Sequence, residues 1–457
     1  MMMCRLSPDT VSDILSRGRI YEVGGAVRDR FLTGNLEVKD RDYLVTGIPY
    51  DELTSILSRH GRVDLVGRSF GVIKFTQHRR DEVCTFDVSL PRREYSTGVG
   101  HRDFAVKFDA RLPVEVDLSR RDFTVNAMAV ALDNEQLIDP LGGLTDLRAR
   151  RLRMTSPESF SEDPLRMLRA IQFAARFEFD IEADTFAAIR AQAPLISTVS
   201  AERINEELVK MLTRSERPSI GFRLMRECSL LREILPELES GIGVDQPGGF
   251  HAYDVFEHTL RCVDACDRTL RLRLAALFHD IEKPSSKRLT DDGATFYGHE
   301  TLGAETARRV MTRLRFSNDL TDEVVALVER HMFTTAVTDK GLRRLVRKVG
   351  VDLIFDLLDL RRADVVAQGM GGRTDDVDVF EQQIRDELSR KPPFSFSDLA
   401  LDGRDIMGLF GITPGPLVGE ILDHLMEQVL DDPGRNTKES LETLARDYYQ
   451  TRTEDSA

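Results

Sequence analysis

The pattern of hydrophobic and polar positions changes period once along this chain, near residue 118. Before that point short apolar runs alternate with turn residues, and 19–23, 42–46, 62–66, 71–76, 83–89 and 104–108 each read as a strand. Helical spacing interrupts them at 8–17 and 50–59. Beyond it Ala, Leu, Arg and Glu recur at helical period over 161–191, 202–214, 254–283, 301–314, 320–332, 375–390 and 416–431. Breaks fall at Pro113, 245–250, 368–376 and 390–395. The pattern predicts an α+β fold: a head with a small mixed sheet, followed by helix to the end of the chain.

Where the first strand ends, residues 21–47 read YEVGGAVRDRFLTGNLEVKDRDYLVTG. Gly24 and Gly25 remove side chains where backbone amides could approach a phosphate. Arg28 and Asp29 follow, and then Asp40 and Asp42. Residues i and i+2 of a strand project from one face, so these carboxylates stand side by side. Like charges that close are costly without a cation between them, and oxygen-only donors favour a hard ion such as Mg²⁺. A D-x-D alone is commonly a pair of solvated charges. The glycine pair and the Arg–Asp at fixed distance turn it into a pattern for metal-assisted phosphoryl or nucleotidyl transfer. Downstream, VGRSFGVIKF (66–75) reads as strand, turn and strand, and FDVSLPRRE (86–94) as a further strand. On it Asp87 is the first choice for a third metal carboxylate, with Glu82 the alternative, and Arg92 could balance triphosphate charge.

Length and composition narrow the class. A chain of 457 residues predicts two to four domains, and 41% hydrophobic with 31% charged residues is an ordinary globular composition. No apolar run is long enough to span a bilayer, and the opening MMMCRLSPDT lacks a charged-then-apolar leader. The five cysteines, Cys4, Cys84, Cys228, Cys262 and Cys266, show neither metal nor disulfide spacing. Cys262 and Cys266, one helical turn apart, are expected to face a core, and the thiols to be reduced in the cytoplasm. A net charge of −14 argues against a surface coated for non-specific nucleic-acid binding. Nucleic-acid contact then falls to local patches, RARRLR (148–153) with Arg166, Arg169 and Arg176, unless these arginines pair with the abundant acids.

Five blocks in order resemble the CCA-adding tRNA nucleotidyltransferases and bacterial poly(A) polymerases, class II of the polymerase-beta-like nucleotidyltransferases. They are GGAVRD with KDRD, DVSLPRRE, SRRDFTVNAMA (119–129), DPLGGLTDL (139–147) and EDPLRMLRAIQFAARF (162–177). A weaker likeness reaches residues 400–425, and Thr33 looks like an extra loop residue. The resemblance implies a head at 1–147 and a base-reading, RNA-binding neck at 148–245. A helical tail at 371–457 would contact tRNA. It implies that Asp40, Asp42 and Asp87 hold Mg²⁺, and that Gly24, Gly25, Arg28 and Arg92 cradle the triphosphate. Arg121, Asp122 and Asn126 would hold ribose and phosphate. Glu162, Asp163, Arg166 and Arg169 would serve the base. The residues support that last role independently. Asp163 and Arg166, three apart on a helix, share a face, and a carboxylate beside a guanidinium matches the amine-next-to-acceptor edge of cytosine and adenine. The plainer reading is an acid at a helix N-terminus paired with Arg166.

A second set lies further on: DVFEHTL (254–260), LAALFHDIEKP (274–284), FYGHE (296–300), ERHMF (329–333) and RRADV (361–365). It resembles the HD superfamily of metal-dependent phosphohydrolases and marks 246–370 as that domain. His258, His279, Asp280 and Asp364 match its metal ligands, and His299 and His331 the extra histidines of two-metal members. Imidazole with carboxylate suits Ni, Mn, Co, Zn or Fe, which lower the pKa of bound water. The expectation is therefore untemplated addition of C and A, as CCA or part of it, to tRNA 3′ ends from CTP and ATP, with a second hydrolytic site. Within the class the alternatives are CC-only, A-only or poly(A) addition, the last disfavoured by the closing TRTEDSA, which carries no basic run. From another class, the alternative is an HD phosphohydrolase whose head only delivers RNA.

Overall fold

The computed structural model describes residues 4–34, 41–67, 71–79, 82–96, 104–247, 249, 251–290, 293–390 and 392–454. They divide into two compact units, Met1–Glu239 and Ser240–Ala457. The first begins with α1 (Pro8–Leu15), β1 (Arg19–Val23), α2 (Gly25–Thr33), β2 (Asp42–Thr46) and α3 (Tyr50–Ser58). Then come β3 (Arg62–Gly67), β4 (Val72–Arg79), β5 (Glu82–Ser89), β6 (Arg92–Ser96) and β7 (Phe104–Phe108). Two short strands, β8 (Ala129–Ala131) and β9 (Leu137–Ile138), complete a seven-stranded sheet of order β3-β4-β5-β2-β1-β8-β9. Only the β2–β5 pair within it is parallel. The expectation of helix throughout from residue 118 missed β8 and β9, because runs of three and two residues are too short to show a period of two.

Strict alternation gives this sheet two buried faces. Ile20, Tyr43, Val45, Phe75, Phe86 and Val88 pack with Ile14 of α1 and with Leu53, Ile56 and Leu57 of α3. Tyr21, Val23 and Leu44 point the other way, onto Val114, Leu118, Ala127 and Ala129. Each fully buried aromatic or aliphatic side chain contributes about 1.5–3 kcal/mol, so a one-residue slip of β5 would expose Phe86 and Val88 and bury Thr85 and Asp87. Cys4 and Cys84 are joined as a disulfide, correcting the expectation of uniformly reduced thiols. The pairing spans 80 residues of sequence and leaves no local spacing to read. Cys228, Cys262 and Cys266 are free and buried.

The rest of this unit is α4 (Val114–Ser119), α5 (Gly143–Arg148), α6 (Ser159–Glu162), α7 (Leu165–Phe177), α8 (Ala183–Gln192), α9 (Ala201–Arg214), α10 (Ser219–Glu227), α11 (Leu230–Ile234) and α12 (Pro236–Glu239). The single helix expected over 161–191 is therefore three. Asp163 is extended (φ −140°, ψ 97°) because it precedes Pro164, and α7 stops where Glu178 turns left-handed at φ 52°.

The second unit contains α13 (Val255–Ala265), α14 (Leu270–Phe278), α15 (Lys283–Ser286), α16 (His299–Arg313), α17 (Asn318–Arg330), α18 (Asp339–Val349), α19 (Ile354–Ala367) and α20 (Asp375–Ser389). It ends with α21 (Gly403–Phe410), α22 (Pro416–Asp431) and α23 (Lys438–Glu454), which enclose Leu401, Ile406, Ile421, Leu425, Val429 and Leu441. Helix α19 escapes a periodicity reading because its pattern is mixed, with Asp364 buried and Val366 exposed. Among the described residues no helix is long and apolar enough to cross a membrane.

Candidate active site and candidate metal centre

The head's site is set by strand register. Asp42 opposes Val23 at the end of β1 and pairs with Asp87 across the parallel β2–β5 ladder. Both carboxylates lie on the sheet face opposite Tyr43 and Phe86, and both residues are exposed. Asp87 is thus the strand residue that meets Asp42, whereas Glu82 begins β5 and pairs with Arg79. Asp40 lies outside the described residues. Gly24 has φ +73°, and a Cβ built there would sit 2.8 Å from Arg121 Nη1 and 3.8 Å from Asp42 Oδ2. The missing side chain leaves a concavity between an arginine and a carboxylate, at the N-terminus of α2, where amides point outward.

Around it, buried Asp117 (0% exposed) accepts from Arg120 at 2.7 Å and from Arg121 at 3.2 Å. Arg28 is buried: it donates to Asp29 at 2.8 Å and to Asn126 at 2.7 Å, and its guanidinium stands over Phe177 at 4.7 Å. Asn126 in turn donates to Asp122 Oδ1 at 2.9 Å, while Arg169 grips Oδ2 at 2.8 and 3.0 Å. Burial alone would raise the Asp122 carboxyl, but Arg169 and Asn126 outweigh it and hold it below the usual range. Arg92 is half-buried on β6, in a separate β6–β7 ribbon.

The expected sharing of a helix face by Asp163 and Arg166 is corrected, because α7 starts only at Leu165. Asp163 is instead held by Arg203 at 2.8 and 3.2 Å. Arg166, 9% exposed, bonds Ser159 Oγ at 3.0 Å, the Arg120 carbonyl at 2.9 Å and Glu162 at 3.3 Å. Arg203 was not visible to sequence reasoning, since nothing local links it to a residue 40 positions away. In RARRLR the arginines at 151 and 153 are pinned to fully buried Asp146 at 2.6 and 2.7 Å, so half of that basic patch is structural.

The second unit brings all six expected ligands together. His258 on α13, His279 and Asp280 after α14, His299 opening α16, His331 closing α17 and Asp364 on α19 are at most 7% exposed. They form two triads, His258–His279–Asp364 and Asp280–His299–His331, with donor atoms within 4.8 Å in each. Asp280 faces both: Oδ2 lies 3.2 Å from His279, and Oδ1 3.4 Å from His299. Three of the histidines are aimed by backbone carbonyls close by in sequence. Nδ1 of His279, His299 and His331 each donates to the carbonyl three residues earlier, at 2.7–2.8 Å. That leaves bare Nε2 lone pairs of His299 and His331 facing one another at 3.2 Å, an arrangement that a cation between them would relieve. Burial and the neighbouring His279 push His331 down to about 3, keeping its imidazole neutral. Above lies a cavity of about 580 Å³ whose lining includes Gln246, His251, Lys283, Tyr297 and Arg361. Lys283 bridges Asp280 at 2.7 Å and Gln246 at 2.8 Å. Its signal was the lysine three places after Asp280 in HDIEKP.

Three family patterns match the chain in order. The poly(A) polymerase head domain matches residues 20–153, and the probable RNA and SrmB-binding site of polymerase A matches 178–242. A tRNA nucleotidyltransferase domain 2 matches 296–445. An A-adding tRNA nucleotidyltransferase of Deinococcus radiodurans is 36% identical over 335 residues, 69% of this chain and 75% of the relative. The chain belongs to the tRNA nucleotidyltransferase family. A multifunctional CCA protein of Aromatoleum aromaticum is 39% identical over 320 residues, 68% of this chain and 74% of that one. A Bacillus stearothermophilus CCA-adding enzyme, solved with CTP, shares the fold at TM-score 0.72 and 23% identity, covering 98% of this chain and all of the other. Nucleotidyltransferases of this family use divalent metal ions, and the Asp42–Asp87 pair beside a side-chain-free glycine fits one.

Proposed function

We propose that this chain adds C and A residues to the 3′ end of tRNA, taking CTP and ATP without a nucleic-acid template. The observation that carries this is the register of Asp42 on Asp87 beside Gly24. Asp42 and Asp87, with Asp40, would hold Mg²⁺, which would supply charge for the attacking hydroxyl and the leaving pyrophosphate. Gly24 and Gly25 give the triphosphate access to backbone amides, and Arg121 reaches over them with Arg92 as a further cation. Arg28 acts through Asn126 and Asp122, which face ribose and phosphate. Asp163 reads the base amine once Arg203 releases it, with Glu162, Arg166 and Arg169 fixing its surroundings. Residues 1–147 form the head and 148–245 the neck, while 371–457 form a tail that contacts tRNA. Such work belongs in the cytoplasm.

Residues 246–370 carry a second activity, metal-dependent phosphohydrolysis. His258, His279, Asp280, His299, His331 and Asp364 would hold transition metal, which would supply an ionisable water for attack on phosphorus. Lys283 offers a cation to a phosphate in the cavity above. A-only addition is the second reading within the class, favoured by the Deinococcus radiodurans relative's name. Purified protein incubated with tRNA lacking its 3′ end and each labelled nucleotide tests the proposal. C then A incorporation supports CCA addition, A alone the narrower reading, and none of the four refutes both.

A further inference from the structure

Helix α7 carries alternating arginines and phenylalanines that the nucleotide site does not use up. Arg169 lies over Phe173 at 5.3 Å, and Arg28 over Phe173 at 5.1 Å and Phe177 at 4.7 Å. Arg176 lies over Phe177 at 4.6 Å. An aromatic ring thus separates each guanidinium from the next, each taking up cation–π attraction. Two of these cations end at acids, Arg169 at Asp122 and Glu207 and Arg28 at Asp29. Arg176 differs: half-buried, it has no hydrogen bond or ion pair among the described residues. Burial, then the positive charges of Arg28 and Arg214, pull its pKa below the ordinary arginine value, with Asp29 acting against them. Arg214, exposed at the end of α9, likewise has no acid paired to it among the described residues. Other arginines of the same unit are answered by acids: Arg151, Arg153, Arg166 and Arg203 all meet a carboxylate.

Like charges gathered around a half-buried guanidinium are costly unless an anion answers them. We propose that Arg176, which shares the Phe177 ring with Arg28, forms a phosphate site of the transfer reaction, with Arg214 at the end of α9 as a further cation. The occupant is a phosphate of the incoming nucleotide or of the RNA backbone, the two phosphate sources this reaction brings together. A guanidinium fork suits a phosphate's paired oxygens better than a point charge does. The ladder behind it runs through Arg28 to Asn126 and Asp122, so the site is continuous with the residues assigned to ribose and phosphate. The assignment rests on the nucleotidyl-transfer reading.

The test uses the full-length protein and its Arg176→Ala, Arg176→Lys and Arg214→Ala variants. KM for CTP and ATP is measured at saturating tRNA, and Kd for tRNA lacking its 3′ end is measured against KCl concentration. We expect Arg176→Ala to raise one of these constants about tenfold, as loss of a charged hydrogen bond does, with kcat at saturation unchanged. A raised KM for both nucleotides assigns the phosphate to the triphosphate. A raised Kd, with the log–log salt slope reduced by about 0.7–0.9, assigns it to the RNA backbone. Arg176→Lys should recover part of the loss. The site is overturned if KM, Kd and the salt slope all stay at wild-type values, or if only kcat and Tm fall. Absence of incorporation by the wild-type protein would refute the transfer reading instead, and the binding constants would still decide the site.

Discussion

The head carboxylates and the histidine–aspartate cluster solve the same problem, holding like or lone-pair donors together, in opposite ways. Asp42 and Asp87 are exposed, brought together by a strand ladder, and flanked by a glycine whose lack of a side chain is the essential feature. The six residues of the cluster are buried and spread over five helical elements, and His279, His299 and His331 are each aimed by a bond to the carbonyl three residues earlier. An exposed carboxylate pair can stay hydrated and charged without an ion. Four imidazoles and two carboxylates withdrawn from water cannot do so cheaply. The head carboxylates are thus open to exchange with solvent, whereas a metal proposed for the cluster would be held out of water.

The largest test of that contrast removes one donor from each. Asp42→Ala should lower nucleotide incorporation by at least about a thousandfold, the several kcal/mol that a bound ion contributes. It should leave the thermal midpoint close to wild type, because the side chain is exposed. Conversely, His279→Ala with Asp280→Ala should remove bound transition metal and phosphoester hydrolysis together while incorporation continues. Metal analysis and the two assays on one preparation decide the matter. A double variant that keeps its metal, or a wild type that binds none on titration, would end the metal-centre reading.

Next in size is Gly24→Ala. Its backbone, at φ +73°, suits no L side chain, and a Cβ would meet Arg121 at 2.8 Å. Strain of about 1–3 kcal/mol and a displaced arginine should reduce kcat/KM roughly 10- to 100-fold. The same substitution at Gly243, also at positive φ (+71°) but with open space around it, should leave incorporation untouched. If Gly24→Ala is also silent, the concavity beside Asp42 is not where the triphosphate enters.

The two regions also differed in how much of them could be read from sequence. All six cluster residues came from the resemblance of five short motifs to the HD superfamily, since no local spacing joins elements as far apart as α13 and α19. The head strands were legible from alternation alone. What stayed hidden was long-range or broken by proline: Arg203 opposite Asp163, Asp117 under Arg121, the Cys4–Cys84 link, and the end of α6 before Pro164. Arg203→Ala sharpens that point. It frees Asp163 from a part-exposed ion pair, so stability should change by no more than about 1 kcal/mol. Selection of CTP and ATP over UTP and GTP in single-turnover assays should fall about tenfold, the effect of misplacing one hydrogen-bonding group. Equal loss for all four nucleotides would make Arg203 a phosphate contact instead.

The smallest expected effect concerns a buried pair behind the head site. Arg41, the residue between the two aspartates of the D-x-D, is paired with Glu22 on β1, and both are at most 5% exposed. Their face is that of Tyr43, whose hydroxyl is pushed up to about 12 by burial first and by the Glu22 charge second. A buried ion pair roughly balances its own desolvation, so replacing both members by apolar residues of similar size should be nearly neutral, whereas removing one strands a charge at about 3–5 kcal/mol. Glu22→Leu with Arg41→Met should therefore keep stability within about 1 kcal/mol of wild type by denaturant titration, while Arg41→Met alone falls well below it. If the pair also orients the carboxylate strand, the double variant will need more Mg²⁺ for half-maximal incorporation. An unchanged Mg²⁺ requirement would confine Glu22 and Arg41 to packing, and the exposed carboxylates would owe their position to the β2–β5 ladder alone.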